Sequence, residues 1–256
     1  MCVIYLAFRS HPRYRLVVAA NRDEFHERPT GAMGEWDEEP GLVAGRDLRR
    51  GGTWMGVHAR GRFAALTNFR ETLPAKPGAP SRGRLVASYL VDGEDPVLWL
   101  ESLAARAHSY DGFSLFLSDF ESLAHFSNRG GGVSLLDPGV HAISNGRLGD
   151  LWPKVVRGRE RFAARVSGSA PDLVAPLLEI LADATAAQDD ALPQTGVGIE
   201  RERALSPIFI RGEDYGTRSS SVILVDEEGG GLFVERSFAA GGVAADTREV
   251  RFTVEI

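Results

Sequence analysis

The chain has 256 residues, of which 43% are hydrophobic and 25% are charged. These proportions are typical of globular proteins and exclude a disordered, collagen-like or coiled-coil chain. The formal net charge of −6 leaves no broad basic surface, so we expect no nucleic-acid partner. This length fits one large domain or two small ones, and we expect a single domain over residues 1–256.

The chain has one cysteine, Cys2, which directly follows the first methionine. A lone cysteine cannot form an internal disulfide bond, which favours a reducing compartment. The apolar residues 3–8 are followed by Arg9, and this stretch is too short for a signal peptide or a membrane span. We therefore expect a cytoplasmic protein without a membrane span.

The first predicted elements are β-strands over residues 3–8 and 15–20, which are separated by a turn-prone Ser-His-Pro-Arg sequence. Together they predict an antiparallel hairpin. Extending its register by one step pairs Cys2 with Asn21 and places the thiol beside Arg22 and Asp23. The hairpin therefore predicts that the cysteine lies in a polar, charged cluster.

The next segment, residues 24–107, is predicted to contain a long loop, two short strands and two helices. Residues 24–41 have no clean period and predict the loop, a length at which irregular loops tend to be functional. Strands are predicted over residues 53–58 and 62–68. The amphipathic helices are predicted over 81–91 and 95–107, with Ser81 and Asp95 as N-caps.

The second half repeats this alternation of strands and helices. An antiparallel meander is predicted over residues 113–118, 123–128, 133–136 and 141–144. Two helices follow over 152–166 and 172–187, and strands are predicted over 219–226, 231–237 and 249–256. Separate runs of strands and pairs of helices favour an α+β fold in which helices cover antiparallel sheets.

Cys2 has a chemical property that depends on the removal of Met1. The processed residue would carry both a thiol, with a pKa of about 8.5, and an α-amine, with a pKa of about 7.7–8.0, so the amine can take the thiol proton. Arg22 would favour the thiolate, and Asp23 would hold the amine. The alternatives are a structural cysteine in a first strand and a charged turn over residues 21–24.

Three further polar residues stand at the ends of predicted strands. Asn68 and Asn145 each carry an amide that could donate to a developing oxyanion, although Asn-Gly at 145–146 is also a common tight turn. Arg218 precedes a strand and is either a ligand for a substrate carboxylate or a solvated strand end.

The sequence offers no signal for a metal or a cofactor. Its histidines show no short ligand spacing, and one cysteine excludes a cysteine-rich zinc site. The glycines at 45, 51 and 52 do not form a phosphate-binding motif. We therefore expect neither a metal, a nucleotide nor another cofactor.

Motifs along nearly the whole chain resemble those of the NRDE family, which includes the eukaryotic Transport and Golgi organisation protein 2. These motifs are MC at 1–2, ANRDEF at 20–25, RPT at 28–30, AGRD at 44–47, GGTWMG at 51–56, RFAALTN at 62–68, SN at 144–145, WPK at 152–154 and YGTRS at 215–219. The family is in turn similar to N-terminal nucleophile hydrolases of the choloylglycine hydrolase and penicillin V acylase type. That similarity implies a four-layer αββα sandwich.

The resemblance also implies roles for individual residues. Cys2 matches the nucleophile, and Arg22 and Asp23 resemble the arginine and aspartate that flank it. Asn68 and Asn145 resemble oxyanion or orienting asparagines. Because Arg22 and Asp23 are adjacent, alternation along a strand predicts that their side chains point to opposite faces. Asn21 and Arg218 complete the candidate set as substrate-binding residues.

Two functions remain open from the sequence. The first is a cysteine amidohydrolase or acyltransferase that acts on a small amide or thioester once Met1 is removed. The second is a non-catalytic carrier or chaperone for an apolar ligand such as haem or a lipid. The substrate, the oligomeric state and the physiological pathway are not specified by any of these motifs, because a fold does not fix a function.

Overall fold

The computed structural model describes residues 2–168 and 172–256. Its strands, in chain order, are β1 (Cys2–Phe8), β2 (Tyr14–Phe25), β3 (Thr30–Trp36), β4 (Glu39–Asp47), β5 (Met55–His58), β6 (Arg62–Asn68), β7 (Phe113–Ser118), β8 (Leu123–Ser127), β9 (Gly132–Leu135), β10 (Gly139–Ile143), β11 (Tyr215–Asp226), β12 (Gly230–Phe238) and β13 (Ala244–Thr253). Its α-helices are α1 (Gly83–Asp92), α2 (Pro96–Ala104), α3 (Pro153–Val166), α4 (Val174–Leu181) and α5 (Ile199–Ala204).

The strands form two antiparallel sheets. The first sheet has the order β10-β1-β2-β11-β12-β13, and the second has the order β3-β4-β5-β6-β7-β8-β9. Helices α3 and α4 pack on the first sheet, and α1 and α2 pack on the second. This arrangement confirms the predicted αββα sandwich.

Three apolar layers follow from the two-residue period of the strands. In β1, Ile4 and Leu6 face the second sheet, whereas Val3 and Tyr5 face α3 and α4. A third cluster fills the space between the second sheet and α1 and α2, where Tyr89 and Leu100 are buried. Both faces of the central strands are therefore covered, which explains why β1 reads as a continuous apolar run.

The hairpin of β1 and β2 forms, but its predicted register is wrong by one residue. Cys2 pairs with Arg22, and Val3 pairs with Asn21. The connection begins at Arg9, whose backbone is left-handed (φ 45°) and whose N–H donates to the Arg15 carbonyl at 2.8 Å. The turn geometry thus sets the register, and a shift of one residue exchanges the faces of every side chain on a strand.

The predicted loop over residues 24–41 is also wrong, because it contains the end of β2, all of β3 and the start of β4. The irregular pattern of this segment reflects the register shifts in the pairing of β3 with β4. The predicted meander holds for β7, β8 and β9, but β10 leaves it and pairs with β1 in the other sheet. Local periodicity does not specify which sheet a strand joins.

Helix positions were predicted more closely. Asp95 caps α2, since its Oδ1 accepts from the N–H groups of Val97 at 2.9 Å and Leu98 at 3.0 Å. The predicted N-cap of α1 was Ser81, but the residue at the N-cap position is Arg82. The predicted helix over 172–187 is shorter than expected, and α5 lies between that helix and the strand predicted over 219–226, where no element was predicted. Among the described residues, no helix is both long enough and apolar enough to cross a membrane.

Helix α3 approaches the first sheet closely at Gly158, where an added Cβ would lie 2.1 Å from Tyr5 Oη. We expect Gly158→Ala to lower the free energy of unfolding by about 1–3 kcal/mol, because the extra methyl group overpacks a buried contact. Denaturant titration would measure this loss. Gly34→Ala is a suitable control, since a Cβ there meets nothing within 4 Å. Equal stabilities for the two variants would contradict this packing argument.

Candidate active site

A cavity of about 200 Å³ opens beside the first residue of β1. Charged residues make up almost half of its lining, with five arginines and five acidic residues: Arg22, Arg28, Arg46, Arg50, Arg82, Asp23, Glu24, Asp47, Asp111 and Glu235. Cys2, Asn68 and Trp54 also line it. The cavity therefore offers a small polar binding site next to a thiol.

The start of α1 lies against this cavity because two glycines allow a close approach. An added Cβ on Gly52 would lie 2.4 Å from the carbonyl carbon of Gly83. The Thr53 N–H also donates to the Gly83 carbonyl at 3.1 Å. These contacts place Ser81 and Arg82 in the cavity wall, and Arg82 Nη1 is held by the Gly112 carbonyl at 2.7 Å.

Cys2 lines this cavity and is 6% exposed. Burial raises the pKa of the thiol, and the Asp23 carboxyl acts in the same direction. The Arg22 guanidinium and a hydrogen bond from the Asp23 N–H lower the thiol pKa but do not outweigh burial. A nucleophilic Cys2 therefore needs a nearby base at neutral pH.

Arg22 and Asp23 lie on opposite faces of β2, as strand alternation predicts. Arg22 shares the face of its partner Cys2, and its Nη1 donates to Thr30 Oγ1 at 3.4 Å. Asp23 Oδ1 accepts from Thr217 Oγ1 at 2.8 Å. Burial raises the pKa of the Asp23 carboxyl, and Lys154 is the strongest influence that lowers it. The Arg22 side chain thus shares the face of the thiol, whereas Asp23 reaches the thiol through its backbone N–H.

The two candidate asparagines lie next to each other. Asn68 lines the cavity, whereas Asn145 is fully buried and donates through Nδ2 to the Asn68 carbonyl at 2.9 Å. Ser144 Oγ donates to the carbonyl of Cys2 at 2.9 Å, and this bond holds the segment that contains Asn145 against β1. The bond to Asn68 occupies one of the two amide hydrogens of Asn145. The oxyanion role of both residues stays a prediction.

Asn21 lies on the face of β2 that points to the helices, away from Cys2. Its Nδ2 donates to the carbonyls of Leu181 at 2.8 Å and Ile208 at 2.9 Å. Its Oδ1 accepts from Ser220 Oγ at 2.6 Å. These bonds satisfy a buried amide and anchor the segments after α4 and before β11, and Asn21 is not among the residues that line the cavity. The predicted register had placed it on the wrong face.

Arg218 also lies outside the residues that line the cavity. Its Nη1 donates to three carbonyls, at 2.9 Å for Phe25 and 3.2 Å for both His26 and Arg28. It therefore fixes the turn between β2 and β3 rather than contacting the thiol. The bulge between Thr217 and Ser219 places Arg218 there.

Comparisons with other proteins place the chain among known relatives. Residues 1–240 match the family described as Transport and Golgi organisation 2. The chain belongs to this family. It is 35% identical over 262 residues to the Transport and Golgi organization protein 2 homolog of Bos taurus, with 93% of each chain covered. It is 33% identical over 276 residues to the homolog of Homo sapiens, with all of both chains covered.

A solved structure shows the same fold as this Transport and Golgi organisation 2 family member. The Caenorhabditis elegans N-acylethanolamine-hydrolyzing acid amidase ortholog superposes with a TM-score of 0.51 at 10% identity, over 87% of this chain and 92% of that one. The family match confirms the predicted family, and the superposition agrees with the predicted αββα fold. At this identity the likeness concerns the fold.

A buried ion pair that the sequence analysis did not identify lies next to Asn145 in this family member. Arg70 and Glu202 form an ion pair whose side chains are 3% and 5% exposed. The Arg70 guanidinium also stacks over Trp152 at 4.6 Å, and the backbone N–H of Arg70 donates to the Asn145 carbonyl at 2.7 Å. The only sequence signal for this pair is the position of Arg70 two residues after Asn68.

Glu235 is a second such residue and lies in the cavity wall. Its Oε1 accepts from the Met33 N–H at 3.1 Å, and its Oε2 accepts from Ser221 Oγ at 3.3 Å. Burial raises the pKa of this carboxyl above its ordinary value of 4.5. An ionised Glu235 therefore destabilises the fold at neutral pH.

We expect Glu235→Gln to raise the free energy of unfolding at neutral pH by about 0.5–2 kcal/mol, since it removes a buried charge and keeps an acceptor for Met33. A raised pKa in the folded state means that stability falls as pH rises above about 4.5. The gain should therefore vanish below that pH. Denaturant titrations at neutral pH and below pH 4.5 measure this gain in stability. Glu249→Gln is the control, because the Glu249 side chain is half-exposed. A gain that is equal at both pH values would contradict this origin.

Proposed function

We propose that this protein is a cytoplasmic cysteine amidohydrolase or acyltransferase that uses Cys2 as an N-terminal nucleophile after Met1 is removed. The observation that supports it is the thiol at the cavity, with Arg22 on the same strand face and the Asp23 N–H bonded to the sulfur. The N-terminal nucleophile hydrolase fold is consistent with this chemistry.

The proposed first half-reaction forms an acyl-enzyme. The free α-amine of Cys2 takes the thiol proton, and the thiolate forms a bond to the carbonyl carbon of a small amide or thioester. The carbonyl oxygen becomes an oxyanion, which the amides of Asn68 and Asn145 would stabilise. The protonated amine then gives its proton to the leaving nitrogen or sulfur as that bond breaks, which leaves a thioester on Cys2.

The second half-reaction releases the acyl group. The amine takes a proton from water, or from an acceptor amine, as the oxygen or nitrogen bonds to the thioester carbon. The carbon–sulfur bond breaks, and the Cys2 thiolate regains a proton from the ammonium. In this scheme Asp23 orients the amine, while Arg22 favours the thiolate.

The alternative function is a non-catalytic carrier or chaperone for haem or a lipid; the names of the relatives mention transport, but the cavity does not favour this function. The cavity volume of about 200 Å³ is below the roughly 300–1,000 Å³ of pockets that bind drug-sized ligands. The lining is also rich in arginine and carboxylate groups, whereas an apolar ligand would need an apolar wall. The cavity thus favours a small polar substrate.

Intact-mass spectrometry after exposure to an acyl thioester probe tests the proposal. Because Cys2 is the only cysteine, an acyl adduct on the processed chain that is absent from Cys2→Ala supports a nucleophilic role. Cys2→Ser, which keeps a weaker nucleophile at the same atom position, is the matched variant. A folded, processed chain that forms no adduct would favour the carrier.

A further inference from the structure

Two of the five arginines that line the cavity are paired with carboxylates of the protein. Arg28 Nη2 donates to Asp47 Oδ2 at 2.6 Å, and Arg46 forms an ion pair with Glu38. A guanidinium that a carboxylate already holds has fewer N–H groups left for a ligand. Positive charge that is free for a ligand must therefore come from the other arginines.

Arg50 and Arg82 also line the cavity but have no such partner. Within residues 2–168 and 172–256, neither guanidinium forms an ion pair. Arg82 is half-buried, and its Nη1 donates to the Gly112 carbonyl at 2.7 Å. In the same part of the chain, Arg82 Nε and Nη2 have no acceptor. Because a guanidinium carries five N–H groups in a fixed fork, Arg82 is held by one nitrogen and can bind a ligand through the other two.

Contacts between two segments hold Arg50 and Arg82 in the same wall. The Arg50 carbonyl accepts from Arg84 Nε at 3.3 Å, so the loop after β4 is bonded to α1. The Thr53 N–H, a few residues further along this loop, donates to the Gly83 carbonyl at 3.1 Å. The placement of both arginines at one cavity is therefore set by bonds between their own segments.

The start of α1 adds positive potential at this wall. Arg82 occupies the N-cap position of this helix of 10 residues, and Gly83 lines the cavity beside it. The N-terminal end of a helix carries a partial positive charge, and the first turn of α1 has no acidic residue that would offset it. The helix and the Arg82 guanidinium therefore favour an anion at the same place.

The acidic residues of the cavity wall do not neutralise these two arginines, because each already accepts a hydrogen bond from elsewhere in the protein. The donors are the N–H groups of Phe25 for Glu24, Arg49 for Asp47, Lys76 for Asp111 and Met33 for Glu235, and the hydroxyl of Thr217 for Asp23. Burial also raises the pKa of the Asp23 and Glu235 carboxyls, which favours their uncharged forms. The charge of Arg50 and Arg82 is thus left for a ligand.

We propose that Arg82 and Arg50 bind a carboxylate of the substrate, so that the substrate is a small amide or thioester that also carries a carboxylate. A carboxylate is planar and can accept two hydrogen bonds from one guanidinium. The cavity volume of about 200 Å³ favours a compact molecule, with a short chain between the two groups. The amide in this inference rests on the proposed function, whereas the carboxylate site does not.

Isothermal titration calorimetry with two matched amides tests this proposal. Succinamate carries one amide and one carboxylate, and succinamide is the neutral diamide of the same size. Both are titrated into the processed, full-length Cys2→Ala chain, which cannot form an acyl-enzyme. Because a charge-assisted hydrogen bond is stronger than a neutral one, succinamate should bind about 10–100-fold more tightly than succinamide.

Substitutions of the arginines in this Cys2→Ala chain locate the carboxylate site. Arg82→Gln should weaken succinamate binding about 10-fold or more and leave succinamide binding unchanged, because it removes the half-buried cation. Arg50→Gln should have a smaller effect, since Arg50 is exposed to solvent. Arg49→Gln is the matched control, because Arg49 is also exposed but does not line this cavity.

Three results would overturn the proposal. The first is a folded Cys2→Ala chain that binds succinamate no more tightly than succinamide, and the second is an equal loss of succinamate affinity in Arg82→Gln and Arg49→Gln. The third is tighter binding of 3-phosphonopropionamide than of succinamate, which would assign the site to a phosphoryl group.

Arg82 also bonds to the Gly112 carbonyl, so circular dichroism is needed to show that Arg82→Gln folds. If this variant does not fold, the exposed Arg50 decides the test. Weaker succinamate binding in Arg50→Gln than in Arg49→Gln would support the proposal, and equal binding would overturn it.

These measurements separate the carboxylate site from the proposed function. Tighter binding of succinamate that is lost in Arg82→Gln, without an acyl adduct on Cys2 of the processed parent, would support the site and refute the enzyme. An acyl adduct on Cys2 in a chain that does not prefer succinamate would support the enzyme and refute the site.

Discussion

A chain that keeps a residue ahead of Cys2 should hydrolyse its amide or thioester substrate about 10²–10⁴-fold more slowly than a chain that begins at Cys2, which is the usual contribution of a general base. The reason is that burial raises the pKa of the thiol, so the thiol needs a base, and only the processed chain has the α-amine beside it. A fusion tag that a protease removes directly before Cys2 allows both forms to be compared. Hydrolysis is followed before and after cleavage.

Two controls make this comparison specific. Circular dichroism before and after cleavage shows whether the fold is unchanged, and the cleaved Cys2→Ala chain gives the background rate. Cleaved and uncleaved chains with the same rate above that background would exclude the α-amine as the base. The thiol would then need a different partner.

Glu202→Gln should cost about 3–5 kcal/mol of unfolding free energy, because it leaves the Arg70 guanidinium charged and without its buried partner. Denaturant titration measures the loss. Arg70 packs on Trp152 and bonds to the Asn145 carbonyl, so the loss of the pair should also disturb the segment beside Cys2.

The exposed pair of Arg203 and Glu200 is a control on the same helix. The Glu200 side chain is 84% exposed, so Glu200→Gln should change stability by less than about 1 kcal/mol. A double variant, Arg70→Met with Glu202→Leu, should recover much of the loss, because neither charge then stays buried alone. A similar cost for the buried and the exposed substitution would show that the buried pair has no special energetic role.

Local patterns were sufficient for most elements because their physical causes are local. The apolar run of β1 predicted a strand, and Asp95 followed by Pro96 predicted the start of α2, where both residues occupy their expected positions. The pattern failed over residues 24–41, where register shifts disrupt the alternation of β3 and β4.

For the candidate site, the sequence identified Cys2, Arg22, Asp23 and Asn68, which all line the cavity. It failed where one residue of register decides the face, as for Asn21, whose amide bonds to Leu181 and Ile208 on the helix side. It also missed Glu235, which shares no local motif with Cys2 and reaches the cavity only through the pairing of β11 with β12.

The sequence alone determined the types of element, their order and the family, because strand and helix periods and long motifs are written along the chain. Only the tertiary structure decided which side chains surround Cys2. Asp23 and Glu235, which both line the cavity, are 212 positions apart in the numbering and come together because β11 pairs with both β2 and β12. Their ionisation depends on that burial, and burial is a property of the folded chain.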